Sequence, residues 1–344
     1  MSEEVLVARG VHVTYGGSDS RHRPVQAVNG VDLRLGRGET VGLVGESGCG
    51  KSSLARALVG LEPMTGELLL FGERLGARRT KEQARRVQIV FQDPFASLNP
   101  RLTVRHTLEE MLRVHHRRPR SKVPERAREL VALVGLPERA LDVRPAALSG
   151  GQRQRVAIAR AIALEPDVLV ADEPTTALDV SVQAVILELI AELRERLSLT
   201  LLLITHNLAV VAAVCDRTAV MYLGRIVEEA PTAKLLADAR HPYTRRLLEA
   251  VPRLGTGARR ARRTGGDPAD PSCAPNGCPY HSRCTIAADR CLSALPELRG
   301  EPGSAVSSDP RAHRAACLYA WTQTDRNLDG YSVQPSVVSP EHTC

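Results

Sequence analysis

The 344-residue sequence has few aromatic residues and no long apolar run. Aromatic residues make up only 3% of the chain, which argues against a surface that stacks nucleic-acid bases. No apolar stretch approaches the roughly 20 residues that a membrane-spanning helix needs, and the first residues do not resemble a signal peptide. We therefore expect a cytosolic or peripheral membrane protein without a nucleic-acid partner.

Lysine and cysteine are also unevenly represented. Lysine occurs only at positions 51, 81, 122 and 234, so arginine carries most of the formal net charge of +7. Because the arginines are spread along the chain, they indicate a compositional bias rather than a nucleic-acid surface. Most of the eight cysteines lie in the last quarter. In a reducing compartment, this crowding favours a metal site over a disulfide framework.

The most informative stretch is a phosphate-binding loop between an apolar strand, Val41–Val44, and a predicted helix, Ser53–Gly60. Its glycines allow the backbone N–H groups to surround a polyphosphate, Lys51 reaches the β- and γ-phosphates, and the Ser52 hydroxyl is placed to bind Mg²⁺. A glycine turn without a ligand is the alternative, but the strand and helix on either side favour nucleotide binding. The residues of this predicted site are Gly45, Glu46, Ser47, Gly48, Cys49, Gly50, Lys51, Ser52 and Ser53.

Alternating apolar and polar residues predict antiparallel strands on either side of this loop. Val5–Tyr15 and Val25–Leu35 have this pattern before the loop, and Gly66–Leu75 has the signal of a hairpin after it. Tyr15 is placed either to stack on an adenine or simply to pack in the strand.

Polar side chains end three strands that we expect to be buried and parallel. Gln92 follows the first, Asp172 and Glu173 the second, and His206 the third. The carboxyl ends of parallel strands form the usual ligand-binding edge of an α/β sheet. Asp172 is a candidate for Mg²⁺ and Glu173 for the general base, whereas Gln92 and His206 also allow a surface or structural interpretation. The three strands are Val87–Phe91, Val168–Ala171 and Leu201–Ile204.

Between the first two of these strands, the sequence predicts a helical insertion over about residues 95–165. At its end, Ser149, Gly150, Gly151 and Gln152 precede a helix predicted over Arg153–Leu164, which makes either a second anion site or an ordinary helix cap. Further on, the pattern predicts helices and a closing hairpin. The helices of the insertion are Thr103–His116 and Glu125–Val134, and the later elements are the helix Ser181–Arg196 and the hairpin Val220–Glu228.

These motifs, in this order and spacing, resemble those of an ABC-type ATPase. Gly45–Ser52, Gln92 and Leu148–Gln152 look like its Walker A, Q-loop and signature, and Leu169–Glu173, Asp179 and His206 look like its Walker B, D-loop and H-loop. Phe91–Pro100 and His241–Leu248 resemble the ATP-binding subunits of peptide and nickel importers. The sequence is most similar to the second, F-type ATPase of oligopeptide and dipeptide systems.

The resemblance implies an α/β P-loop NTPase (RecA-like) core with an antiparallel β subdomain. It also implies a head-to-tail dimer around two ATP molecules, in which Lys51 and Ser52 of one subunit face Ser149 and Gly151 of the other. Tyr15 would stack on adenine, and Gln92 would bind Mg²⁺, sense the γ-phosphate and couple to the membrane subunits. Asp179 would act across the interface and His206 would hold the γ-phosphate. The F-type likeness suggests a paralogous partner ATPase, two permease subunits and, indirectly, an extracytoplasmic solute-binding protein, with the chain on the cytoplasmic face of the membrane.

The last quarter of the chain differs from the rest because it contains most of the cysteines. We expect an ATPase domain over residues 1–254, a linker over 255–271, a Cys-rich extension over 272–321 and a flexible tail over 322–344. The extension resembles that of peptide-importer ATPases, which bind iron–sulfur. The likeness favours a [4Fe–4S] cluster, with Zn²⁺ or unliganded thiols as alternatives. The predicted ligands are Cys278, Cys284, Cys291 and Cys317.

The leading functional hypothesis is an ATPase that drives peptide import, with nickel or another small solute as an alternative. A soluble ABC ATPase acting on nucleic acid or ribosomes is disfavoured because the chain has no sustained heptad pattern and no second Walker A motif. A small-molecule kinase is disfavoured because its chemistry requires neither Leu148–Gln152 nor a base such as Glu173.

Overall fold

The computed structural model describes residues 3–16, 24–115, 119–176, 178–250, 275–302 and 312–321. The predicted linker over 255–271 and tail over 322–344, together with Cys273 and Cys344, lie outside these residues. Along the described chain, the strands are β1 Glu4–Tyr15, β2 Val25–Gly36, β3 Thr40–Val44, β4 Thr65–Leu70, β5 Glu73–Arg74, β6 Val87–Val90, β7 Val168–Asp172, β8 Thr200–Thr205, β9 Arg217–Tyr222, β10 Arg225–Pro231, β11 Arg299–Gly300 and β12 Arg314–Ala315.

The helices lie mainly between these strands. They are α1 Lys51–Val59, α2 Lys81–Arg86, α3 Pro94–Ser97, α4 Val104–His115, α5 Val123–Leu133, α6 Gly150–Ile162, α7 Val180–Leu197, α8 Leu208–Val214, α9 Thr232–Ala237, α10 Pro242–Glu249 and α11 Arg290–Ser293. Among the residues that the structure describes, no helix is both long and apolar enough to cross a membrane.

A large mixed sheet forms the centre of the molecule, with the strand order β11-β12-β10-β9-β3-β8-β7-β6. The five strands from β9 to β6 are parallel, and Val41 of β3 pairs with Leu202 on one side and with Arg217 on the other. β3, β7 and β8 are buried along their whole length, as expected for continuous apolar strands covered on both faces. Their carboxyl ends therefore lie side by side at one edge.

A second sheet, with the order β2-β1-β4-β5, is antiparallel. Its inward side chains include Val11, Val31 and Leu68, and they share one apolar core with Leu43 of the central sheet and Leu54 of α1. The alternating pattern thus predicted these strands correctly. The hairpin turns at Phe71 and Gly72, both of which have a positive φ.

The helices α3 to α6 occupy the chain between β6 and β7, where the sequence predicts the helical insertion. The helix boundaries lie within three residues of their predictions, and the start of α6 differs most. α6 begins at Gly150 rather than Arg153, because Ser149 caps the helix and Gln152 completes a capping box, which draws both glycines into the first turn.

The last described segments pack against the central sheet and extend it. β12 pairs with β10, and β11 pairs with β12, both in the antiparallel direction. The side chains of Cys278, Tyr280 and Cys291 belong to the same apolar cluster as Tyr222 and Tyr243. Residues 275–302 and 312–321 therefore pack on the β9–β10 side of the sheet.

Candidate functional site

The loop between β3 and α1 encloses the ammonium group of Lys51. Lys51 is 4% exposed, and its Nζ donates hydrogen bonds to the carbonyl oxygens of Gly45 and Glu46, both at 2.9 Å. Gly50 has a φ of +106°, and a Cβ atom there would lie 2.0 Å from the Ala27 carbonyl oxygen. The loop backbone thus curves in a form that a larger residue could not adopt at position 50.

This loop has the features expected of a phosphate cradle. Gly48, with a φ of +79°, has open space where a Cβ would be, so a ligand has room to approach the backbone. The loop leads directly into α1, which has no acidic residue in its first turn and whose N-cap Gly50 makes no side-chain capping bond. Exposed N–H groups at a helix N-terminus attract anions. Lys51 adds a full positive charge at the same place.

Ser52, at the start of α1, meets Asp172, at the end of β7. The Ser52 hydroxyl donates to Asp172 Oδ1 at 3.1 Å, and Asp172 is 2% exposed. Burial raises the pKa of Asp172, although the Ser52 hydrogen bond opposes this effect. A buried carboxylate with an oxygen neighbour suits Mg²⁺, which prefers oxygen ligands and would compensate the buried charge.

Three predicted site residues meet at Glu173. Its Oε2 accepts a hydrogen bond from Gln92 Nε2 at 3.3 Å and lies 3.3 Å from His206 Nδ1. Glu173 also has a φ of +46°, a left-handed conformation that is costly for a residue with a side chain. Its backbone N–H donates to the Ile204 carbonyl oxygen at 3.0 Å, which ties this turn to the end of β8.

Thr176 is a further residue of this cluster that sequence reasoning missed. Its hydroxyl donates to Glu173 Oε2 at 2.8 Å, the shortest of the three contacts to that oxygen. A threonine three residues after a candidate base gives little signal of its own, because such residues are common in turns.

The start of α6 lies next to the start of α7. A Cβ atom added at Gly151 would lie 2.7 Å from Val182 Cγ1, and one at Gly150 would lie 3.1 Å from Leu178. The Gln152 N–H donates to the Ser149 hydroxyl at 3.3 Å, so this cap is closed within the chain. Asp179 is the N-cap of α7 without a side-chain capping bond.

The remaining predicted site residues stand apart from this cluster. Tyr15 ends β1, half-buried and packed against the apolar core. Within the described residues, no hydrogen bond or ion pair joins Ser149, Gln152 or Asp179 to Lys51, Ser52 or Glu173. A single chain therefore forms two separate groups of predicted residues.

The four cysteines that the sequence predicts as cluster ligands differ in burial. Cys278 and Cys291 are buried, whereas Cys284 and Cys317 are half-buried. Among the described residues, no group of three or more His, Cys, Asp or Glu side chains is arranged to hold a metal ion. The [4Fe–4S] and Zn²⁺ predictions have no support in this arrangement.

Two family models match the chain. The model described as ABC transporter matches residues 28–176, and the one described as oligopeptide/dipeptide transporter, C-terminal region, matches residues 227–291. The first match spans the loop at Gly45–Ser52 and, from the cluster around Glu173, Gln92, Glu173 and Thr176. The second spans β10, α10 and most of the cysteines of the extension.

Named relatives agree with these matches. A putative peptide import ATP-binding protein of Brucella ovis is 44% identical over 300 residues, which cover 86% of this chain and 94% of the relative. The di/tripeptide transport ATP-binding protein DppF of Pseudomonas aeruginosa is 44% identical over 305 residues, with the same two coverages.

Solved structures show the same fold over about two thirds of the chain. An ATP-binding cassette in a dimeric post-hydrolysis state with ADP and Pi has a TM-score of 0.59 and 31% identity, and covers 66% of this chain and 98% of that one. CbiO1 of Clostridium perfringens, part of an ABC transporter complex, has a TM-score of 0.60 and 28% identity, and covers 69% and 92% of the two chains.

Proposed function

The chain belongs to the ABC transporter family as an ATP-binding subunit, and from this premise we propose that it hydrolyses ATP to drive the import of peptides across a cell membrane. The observation that carries the chemistry is the convergence of Gln92, Thr176 and His206 on the Glu173 carboxylate, beside the Ser52–Asp172 pair. The names of the relatives, which are peptide-import and di/tripeptide-transport proteins, support the solute.

In the proposed site, the loop holds the triphosphate. The N–H groups of the loop and the Lys51 ammonium bind the phosphate oxygens, and Ser52 and Asp172 hold Mg²⁺, with Gln92 as the third proposed ligand. Bound Mg²⁺ would neutralise charge that develops on the phosphate oxygens. Tyr15 at the end of β1 is proposed to stack on the adenine.

Glu173 is proposed as the general base. Its carboxylate takes a proton from a water molecule, whose oxygen forms a bond to the γ-phosphorus while the bond from that phosphorus to the ADP oxygen breaks. His206 is proposed to hold the γ-phosphate, and Gln92 to orient the water. The hydrogen bonds from Gln92 and Thr176 to Glu173 Oε2 fix the orientation of the carboxylate.

Glu173→Gln tests the assignment of the base. The amide keeps the size of the side chain but cannot accept the proton, so we expect ATP binding to be retained and the hydrolysis rate to fall by at least about 100-fold. Lys51→Ala is the matched control, because it should abolish binding itself. If Glu173→Gln hydrolyses ATP at the wild-type rate, Glu173 is not the base.

Uptake by cells tests the solute. Deletion of the gene should abolish uptake of a labelled di- or tripeptide, and the wild-type gene should restore uptake where Lys51→Ala does not. If the deletion strain instead takes up peptide normally and loses nickel uptake, the peptide assignment is wrong.

As an importer ATPase, the chain works with membrane permease components. We further propose that it acts peripherally at the cytoplasmic face of the membrane, with a paralogous ATPase as its head-to-tail partner. This arrangement would place Ser149 and Gly151 of one subunit opposite Lys51 and Ser52 of the other, with Asp179 at the interface. The separation of these groups within one chain supports the proposal. Two permease subunits and an extracytoplasmic solute-binding protein would complete the transporter.

Two structural proposals follow from the likeness to peptide importers. One is the division into an ATPase domain over residues 1–254, a linker over 255–271, an extension over 272–321 and a tail over 322–344. The other is the [4Fe–4S] cluster. Burial raises the pKa of Cys284 to about 12, and Cys317, Cys278 and Cys291 add to this rise.

The [4Fe–4S] proposal has a direct test. Protein prepared without oxygen should contain iron and sulfide and should show visible absorbance that dithionite bleaches. A colourless protein loaded with zinc would rule out the [4Fe–4S] assignment.

A further inference from the structure

An arginine near the end of the described chain reaches back to the phosphate loop. Arg283 Nη1 donates to Glu46 Oε2 at 2.8 Å, and its Nη2 donates to Glu46 Oε1 at 2.9 Å. The two residues are 237 positions apart in the sequence. A guanidinium group that binds both oxygens of a carboxylate fixes its orientation as well as its charge.

The arginine of this ion pair is largely removed from water, whereas the Glu46 side chain is 30% exposed. The Arg283 side chain is 6% exposed, and its Cζ lies 5.8 Å from the ring centroids of both Tyr222 and Tyr280. The ring of Tyr243 packs against the same two tyrosines. In such surroundings the pair is screened less than a surface ion pair, and the hydrogen bonds to Glu46 raise the pKa of Arg283.

Glu46 is held through its backbone as well as its side chain. Its N–H donates to the Tyr243 hydroxyl at 2.8 Å, and its carbonyl oxygen accepts from Lys51 Nζ at 2.9 Å. Arg283 thus fixes a residue whose carbonyl group positions the Lys51 ammonium. If Glu46 moved, its carbonyl oxygen would move as well. The ammonium group of Lys51, which is expected to bind phosphate, would then lose or change this hydrogen bond.

The Arg283–Glu46 ion pair also changes the net charge next to the phosphate loop. The loop receives a polyanion, and a free carboxylate at Glu46 would repel it through space. Arg283 neutralises this carboxylate with two charge-assisted hydrogen bonds. Both effects, on geometry and on charge, favour ATP binding.

We propose that Arg283 is a positioning residue for ATP binding, contributed to the phosphate loop by the Cys-rich part of the chain. The inference rests on the proposed assignment of Gly45–Ser52 as the ATP site. It makes the binding of nucleotide depend on the specific contact of Arg283 with Glu46 in that loop.

The test measures the dissociation constant of a fluorescent mant-ATP for the full chain. In Arg283→Met, Glu46 keeps its charge and loses its partner, so we expect the constant to rise about tenfold. Arg283→Lys should give an intermediate value, since lysine restores the charge without the paired hydrogen bonds. Arg283→Met combined with Glu46→Gln should bind within about threefold of wild type, because the repulsive charge is gone.

The matched control is Arg314→Met. Arg314 also belongs to the C-terminal part, and its Nε donates to the buried Glu229 at 2.9 Å without touching the loop. This variant should bind ATP within about twofold of wild type, because it removes a contact between the C-terminal part and β10 and leaves the phosphate loop unchanged.

Four results would overturn the inference. One is wild-type affinity in Arg283→Met or, if that variant does not fold, in Arg283→Lys. The second is an equal loss of affinity in Arg314→Met, which would assign the effect to docking in general. The third is failure of Glu46→Gln to restore affinity to Arg283→Met. Failure of the wild-type chain to bind ATP would overturn the proposed function and the inference with it.

Discussion

The Glu173 carboxylate is oriented by a hydroxyl group close to it in the sequence. Thr176 Oγ1 donates to Glu173 Oε2 at 2.8 Å, while the Gln92 and His206 contacts to the same oxygen are 3.3 Å long. Because Glu173 already adopts a left-handed backbone conformation, its side chain depends on such contacts for its direction.

We therefore expect Thr176→Val to lower kcat for ATP hydrolysis by about tenfold, the typical effect of a misplaced general base, while the dissociation constant for ATP stays unchanged. Thr176→Ser is the control and should keep kcat within about twofold, since it retains the hydroxyl donor. Steady-state and binding measurements separate the two constants. A wild-type kcat in Thr176→Val would mean that this hydrogen bond does not orient the base.

His241 should make stability depend on pH. It is fully buried, its Nδ1 accepts the Tyr243 N–H at 3.1 Å, and burial lowers the pKa of His241 to about 4 despite the nearby Glu228. The unfolded chain, in which the pKa is about 6.5, takes up the proton first as the pH falls. The contribution of His241 is therefore complete above pH 6.5 and is lost as the pH falls towards 4.

The expected loss between pH 7 and pH 4.5 is about 2.5 kcal/mol of unfolding free energy. His241→Asn keeps an acceptor at the helix N-cap but does not titrate, so this part of the pH dependence should disappear in that variant. Urea unfolding of both proteins at the two pH values gives the difference. Equal pH dependence in the two proteins would show that His241 takes up a proton in the folded state as readily as in the unfolded one.

At the scale of elements, the approach of α6 to α7 depends on a residue without a side chain. A Cβ atom at Gly151 would lie 2.7 Å from Cγ1 of the stiff, β-branched Val182. Gly151→Ala should therefore lower the unfolding free energy by about 1 kcal/mol, because overpacking outweighs the better helix propensity of alanine.

Val182→Ala should relieve this overpacking. The double variant of Gly151→Ala and Val182→Ala should be more stable than the sum of the two single effects predicts, by about 1 kcal/mol. Chemical unfolding of the four proteins completes the cycle. If the two changes in unfolding free energy were strictly additive, α6 and α7 would accommodate the added methyl group without contact between residues 151 and 182.

Elements with a local signal were predictable from the sequence. β1 and β2 alternate in polarity, β7 and β8 contain continuous apolar runs, and Gly224 lies in the turn between β9 and β10. β11 and β12, each two residues long, carry no such signal, because they exist only through pairing with β10 and with each other. The first turn of α6 was misplaced because two glycines ordinarily disfavour a helix interior.

At the scale of the whole molecule, the residues of the site also divide into those with a local sequence signal and those without one. Lys51, Asp172 and Glu173 follow strands whose ends the sequence locates, so their meeting at one sheet edge was predictable. The Arg283–Glu46 pair was not, since nothing near Arg283 marks it apart from the other arginines of the chain. Long-range ion pairs depend on how the last segments dock, and that docking is set by side-chain packing rather than by periodicity.

The docking of the last described segments also provides partners for two buried carboxylates of β10. Glu228 and Glu229 are 0% and 1% exposed. His313 Nε2 lies 2.7 Å from Glu228 Oε1, and Arg314 donates to Glu229. Without residues 275–321, Glu229 would lose its Arg314 partner and Glu228 would lose His313, while Glu228 would keep its backbone donors at Arg240 and His241.

A chain that ends at residue 250 should therefore be less stable than the full chain by about 3 kcal/mol or more, as is typical when one partner of a buried ion pair is removed. A chain that ends at residue 321 keeps both pairs and should unfold at the same urea concentration as the full chain. Glu229→Gln should recover part of the loss in the shorter chain, because an unpaired neutral amide costs less to bury than an unpaired carboxylate. Equal stability of the 250-residue and 321-residue chains would mean that water or a rearranged side chain replaces Arg314 as the partner of Glu229.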